Sequence, residues 1–157
     1  MRPEEKFMRL AIKEARKNLR KMEGGPFGAC IVRDGKVIAV ARNTVLISDA
    51  SAHAEVNAIR FASKRLKDFK LSGCVIYSTT EPCPMCFSAI HWSRLDAVIY
   101  GTTVADAKKL GFNELQINCK KMRDEGVSDV KIYPAFLRRE CLELFNDWKK
   151  LENKRLY

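Results

Sequence analysis

Apolar residues recur at steps of three and four through residues 4–22, at Met8, Ala11, Ile12, Ala15, Leu19 and Met22, with charges between them. That spacing predicts an amphipathic helix, stopped by Gly24-Gly25-Pro26. Phe27–Arg33 and Lys36–Arg42 are short apolar runs joined by Asp34-Gly35, a strong β-hairpin signal. Residues 53–66 read as a helix with Val56, Ile59 and Ala62 on one face. Cys74–Thr79 reads as a buried strand, Pro84–Trp92 as a buried helix and Ala97–Tyr100 as a further strand. Thr103–Lys109 predicts a helix closed by Gly111, Asp129–Tyr133 a last strand ended by Pro134, and Leu137–Leu151 an amphipathic helix with Leu144, Trp148 and Leu151 inward.

A helix, a hairpin, and then helices alternating with strands argue for one α/β domain over 1–157, a single sheet with helices on both faces. The hairpin is antiparallel, whereas the connections through 53–66 and 84–92 suit parallel crossovers, so the sheet should be mixed. A chain of 157 residues with 46% apolar composition can bury a real core. No run approaches the roughly 18 to 20 apolar residues of a membrane span, so no membrane partner is expected. Arg2, Glu4, Glu5, Lys6 and Arg9 leave no apolar signal segment over Met1–Leu10. The expected compartment is the cytoplasm, where the six cysteines would be free thiols or metal ligands. The net charge of +10 attracts anions, nucleic acid included. The Lys and Arg residues are nonetheless scattered over helices and tail, without the aromatic interleaving of an RNA-binding signature.

Two segments carry chemistry, Ala52-His53-Ala54-Glu55 and Glu81-Pro82-Cys83-Pro84-Met85-Cys86. Both fall where a strand or loop enters a predicted helix. Zinc takes nitrogen and sulfur ligands in a tetrahedron, and a catalytic site uses three of them and keeps the fourth position open. His53, Cys83 and Cys86 supply three. Glu55, two residues after His53, can reach a reacting water from the first helical turn without binding metal, which suits a proton shuttle. His91, late in the second helix, is expected to pack or face solvent. Cys30 and Cys74 lie in apolar strands and read as buried thiols, and Cys119 and Cys141 lack metal spacing and read as structural.

His-x-Glu followed by Pro-Cys-x-x-Cys is the signature of zinc deaminases. At these residues the chain resembles the cytidine-deaminase-like superfamily, and within it the purine-base deaminases, the bacterial guanine deaminases most of all. The resemblance extends through Gly24-Gly25-Pro26-Phe27-Gly28-Ala29, Trp92, the Ala107–Phe112 stretch and the tail Asn153-Lys154-Arg155-Leu156-Tyr157. It implies a three-layer fold with a five-stranded mixed sheet flanked by helices, a homodimer and one zinc per subunit. It implies further that Asn43 binds substrate, that Phe27 and Trp92 wall a flat ring, and that Glu114 reads the base where the family carries Asp. Finally, it implies that residues 153–157 cross to the partner as a swapped lid, with Tyr157 in the site. Asn113 replaces an acidic neighbour, and Ala50 stands where many relatives have Pro.

Hydrolytic deamination of a free nucleobase, guanine first, is therefore the leading expectation. Guanosine, cytosine, cytidine or an aminated triazine suits the same machinery. Adenosine in tRNA is the polynucleotide alternative. The positive charge favours it, but Thr102-Thr103-Val104-Ala105-Asp106-Ala107 lacks the glycine-rich stretch that tRNA editors tend to carry there. A binding module without activity is a third reading, against which the intact Glu55 speaks.

Overall fold

The computed structural model describes residues 2–157. Helices α1 (Glu5–Arg16) and α2 (Asn18–Lys21) precede the hairpin of β1 (Gly28–Arg33) and β2 (Lys36–Arg42). Then come α3 (Ala54–Leu66), β3 (Cys74–Thr80), α4 (Pro84–Trp92), β4 (Ala97–Thr102), α5 (Val104–Lys109), α6 (Cys119–Glu125), β5 (Lys131–Tyr133) and α7 (Arg138–Lys149). The five strands lie in the order β2-β1-β3-β4-β5. β1 is antiparallel to both its neighbours, and β3, β4 and β5 run parallel. The expected mixed sheet is present.

Side-chain alternation along the strands builds two cores. Ala29, Ile31, Ile76 and Val98 face α3 and α4, while Cys30, Val32, Tyr77 and Ile99 face α1 and Cys141 of α7. The buried stripe of α3 is Ala54, Ala58 and Ala62, four residues apart. The expected Val56 and Ile59 are only half-buried, because small side chains let the helix lie close on the sheet and the larger ones move to its flank.

Several elements differ from expectation. The first helix breaks at Lys17, so that Asn18 opens a separate short turn. The last strand is three residues rather than five. Helix α6 was not foreseen, although Asn118 caps it by accepting from the Lys121 amide at 2.8 Å. In α5 the predicted start at Thr103 is a full capping box with Asp106.

Candidate active site

Two helix starts meet at the carboxyl end of β3, where open α/β sheets place their ligands. His53 is the N-cap of α3 and Cys83 the N-cap of α4, with Pro84 preset at the first helical position. The His53 side chain makes no capping bond to α3, and Cys83 turns toward Cys86, so the donors converge. Cys86 follows one turn into α4. His53 Nδ1 lies 3.7 Å from Cys83 Sγ and 3.5 Å from Cys86 Sγ. Tetrahedral zinc with bonds of about 2.3 Å to sulfur and about 2.0 Å to nitrogen would set N and S roughly 3.5 Å apart. The three donors fit that ion, and among the described residues they form the one such cluster. As free side chains the two thiols divide one negative charge. The bond from Cys86 holds Cys83 down to about 4, and the same bond, with burial, holds Cys86 well above its ordinary range. A divalent cation takes both as thiolates, and the positive ends of α3 and α4 favour that charge.

Glu55, on the first turn of α3, is buried. Ser78 Oγ donates to its Oε1 at 3.0 Å, and its Oε2 lies 3.5 Å from Cys86 Sγ. The carboxylate is therefore beside the metal position without belonging to the ligand set. Burial raises its pKa against the favourable charge of His53, which suits a group that must both take and give a proton.

The expected substrate side is assembled in part. Glu114 has no side-chain hydrogen bond recorded and lies within electrostatic reach of Cys83, His53 and Glu55. Burial foremost, and then the Cys83 charge, push its carboxyl up to about 7. Asn43 is fully buried. Its Oδ1 accepts from the Val45 amide at 3.1 Å, and its Nδ2 has no hydrogen-bond partner among the described residues. Burial foremost pushes the Tyr157 phenol well above its ordinary range, and the neighbouring Gly25 and Asn43 groups only partly oppose this. Phe27 is a buried core ring set edge-on to Phe112 and Phe145.

Tyr157 docks within its own chain. Its hydroxyl accepts from the Gly25 amide at 2.9 Å, its main-chain oxygen accepts from the Asn113 amide at 3.0 Å, and its ring meets Phe112 at 5.3 Å. The tail thus joins the loop beside Asn43 to the segment carrying Glu114. Gly111 makes room for it. At φ +103° a side chain there would be strained, and its Cβ would stand 2.7 Å from Leu156.

Trp92 is a correction. It is 69% exposed at the far end of α4, edge-on to His91, with the Arg94 guanidinium 5.6 Å over its ring. At about 1.5 Å per residue, α4 carries it some 12 Å from the ligand end, so it does not wall the site of its own protomer. His91 faces Ser128 at 2.9 Å, away from the metal, as expected. The other four cysteines are buried and free.

Comparison with known proteins agrees with this geometry. Residues 1–102 match the family described as the cytidine and deoxycytidylate deaminase zinc-binding region. The chain belongs to that family. Guanine deaminase of Bacillus subtilis is 40% identical over 154 residues, 98% of each chain. The tRNA-specific adenosine deaminase of Aquifex aeolicus is 43% identical over 152 residues, 95% of this chain and 96% of that one. A solved guanine deaminase of Nitrosomonas europaea superposes with a TM-score of 0.86 at 25% identity, over 96% of this chain and 87% of that one. The protein is a zinc-dependent hydrolytic deaminase.

The sequence placed Glu81 in the cysteine segment of the deaminase site but gave it no role. Glu81 is buried behind Cys83. Its Oε1 accepts from Tyr100 Oη at 3.2 Å and the Cys119 amide at 2.9 Å, and its Oε2 from the Val104 amide at 3.2 Å. It ties the cysteine loop to the first residues of α5 and α6. Its adjacency to Pro82-Cys83 was a signal, but its partners lie about twenty to forty positions away and no spacing rule reaches them.

Proposed function

We propose that this deaminase removes the amine of a free purine base, guanine yielding xanthine and ammonia. The observation that carries the reading is the half-buried Glu114 carboxyl within electrostatic reach of Cys83, His53 and Glu55, with Tyr157 docked on Gly25 and Asn113 nearby. A guanine ring offers N–H donors along its edges, and these would draw the raised Glu114 carboxyl to its ionised, purely accepting form. Asn43 offers a donor at Nδ2 from another side. His53, Cys83 and Cys86 would hold the zinc, which when bound would lower the pKa of a water for attack on the amine-bearing carbon. Glu55 takes the proton of that water and delivers protons to the ring nitrogen and to the departing amine. Ser78 keeps the carboxylate turned for both transfers. The docked tail excludes bulk water.

The site would be completed in a cytoplasmic homodimer. Phe61 of α3 and Met85 and Trp92 of α4 are large exposed apolar residues, which a partner subunit would cover. A swapped tail would make the same Gly25 and Asn113 contacts on the partner. Free cysteines suit a reducing compartment, and no helix among the described residues is long and apolar enough to cross a membrane.

Adenosine in tRNA is the second reading, favoured by the Aquifex aeolicus relative and by the net charge of +10. A tail seated over the site leaves little room for a polynucleotide. Ammonia release from guanine, run beside inosine formation in a tRNA anticodon stem, separates the two.

A further inference from the structure

Asn18 interrupts the apolar stripe of the first helix between Ala15 and Leu19. It is completely buried and opens α2 just after the break at Lys17. Its Nδ2 donates twice, to the Gly25 carbonyl and to the Asn43 carbonyl, both at 2.8 Å. Both hydrogens of the amide are thereby used, while its Oδ1 has no partner among the described residues. A buried amide that leaves its acceptor unmatched is costly, so its placement points to what the donor side does.

The two carbonyls belong to the segments that flank the substrate side. Gly24 lies so close to Asn43 that a Cβ there would stand 2.7 Å from the Asn43 carbonyl oxygen. The Asn43 amide donates to Phe27 at 3.0 Å, and the Gly25 amide donates to the Tyr157 hydroxyl at 2.9 Å. One side chain on α2 therefore grips Gly25, where the tail docks, and Asn43, the proposed contact to the base. It fixes their separation from beneath, and it does not itself reach the metal ligands.

We propose that Asn18 is a positioning residue for deamination, setting the Asn43 amide against the substrate and coupling it to the seated tail. The inference rests on Asn43 being a substrate contact. Removing Asn18 should then misplace a binding group and leave the metal centre and the proton shuttle intact. The loss should fall mainly on KM, with zinc content unchanged.

The test is a double-mutant cycle on zinc-loaded enzyme with guanine as the probe, using Asn18→Ala, Asn43→Ala and the pair, with zinc content and thermal unfolding measured on each. Asn18→Ala should lower kcat/KM by about tenfold or more, chiefly through KM. In the Asn43→Ala background the same change should cost less than about threefold. Asn18→Ser, which can keep one of the two bonds, should fall between wild type and Asn18→Ala, and it serves as the second variant if the alanine form does not fold. Equal losses in both backgrounds, or a loss confined to stability and zinc content, would overturn the proposal. An Asn43→Ala enzyme with normal kinetics would instead overturn the substrate reading on which it rests, and the two failures are distinguishable.

Discussion

Ser78 holds Glu55 by a 3.0 Å hydrogen bond to Oε1, and this leaves Oε2 on the side of Cys86 Sγ. The alternation of β3 puts Ser78 on the face toward α3, so strand register sets the aim of the Glu55 carboxylate, the proposed proton shuttle. Glu55→Gln should keep zinc and fold and lower turnover by about 100-fold or more. Ser78→Ala should lower kcat by roughly tenfold with KM little changed, as expected for loss of one bond to a charged group. Steady-state kinetics and zinc analysis check both, and a Glu55→Gln enzyme with near-normal turnover would remove Glu55 from the shuttle.

Metal removal should abolish activity, and zinc should restore it. Cys83→Ala and Cys86→Ala should each lose zinc and activity together, since among the described residues the cluster offers three protein ligands. Metal analysis of the purified variants checks this, and a fully active zinc-free preparation would be irreconcilable with the site.

Deleting residues 153–157 should impair turnover of a small base more than Tyr157→Phe does. The deletion removes the Gly25, Asn113 and Phe112 contacts together. Tyr157→Phe removes one neutral hydrogen bond, worth about 1 kcal/mol, or roughly fivefold. Kinetics and sedimentation on the same samples test lid and dimer together, and unchanged guanine turnover in the deletion variant would refute the lid.

Asp106 links fold stability to pH. The Arg138 guanidinium, at 2.7 Å, holds its carboxyl down to about 2 from an ordinary 3.8, and the Thr103 bonds add to this. A depressed carboxyl stabilises the fold above its unfolded pKa, and the contribution is lost as pH falls toward its folded one. Arg138 is over a third exposed, so solvent screening trims the effect. Asp106→Ala should cost about 1 to 2 kcal/mol near neutrality through the lost cap and ion pair. Urea unfolding from pH 6 to pH 2.5 should show that the gap between variant and wild type narrows below about pH 4.

The metal ligands were legible because each lies within a few residues of a helix start, where spacing alone sets geometry. The same locality made the hairpin, α4 and the start of α5 near Thr103 readable. Trp92 failed by that measure. It is adjacent to the motif in sequence, yet a helix carries it outward. Asn18, Ser78 and Glu81 act through partners distant in the chain, which no local pattern encodes. The inner face of α3 was misread because alanines carry a weak hydrophobic signal and tertiary packing decided which side faces the sheet. Helix α6 lacks an apolar period, and only its Asn118 cap announced it.

The most direct measurement is the ammonia yield of the zinc-loaded enzyme with guanine, beside inosine formation in a tRNA anticodon stem-loop under the same conditions. The account predicts stoichiometric ammonia and xanthine from guanine, abolished in Glu55→Gln, and no inosine in the RNA. Inosine formation with no turnover of guanine would contradict it.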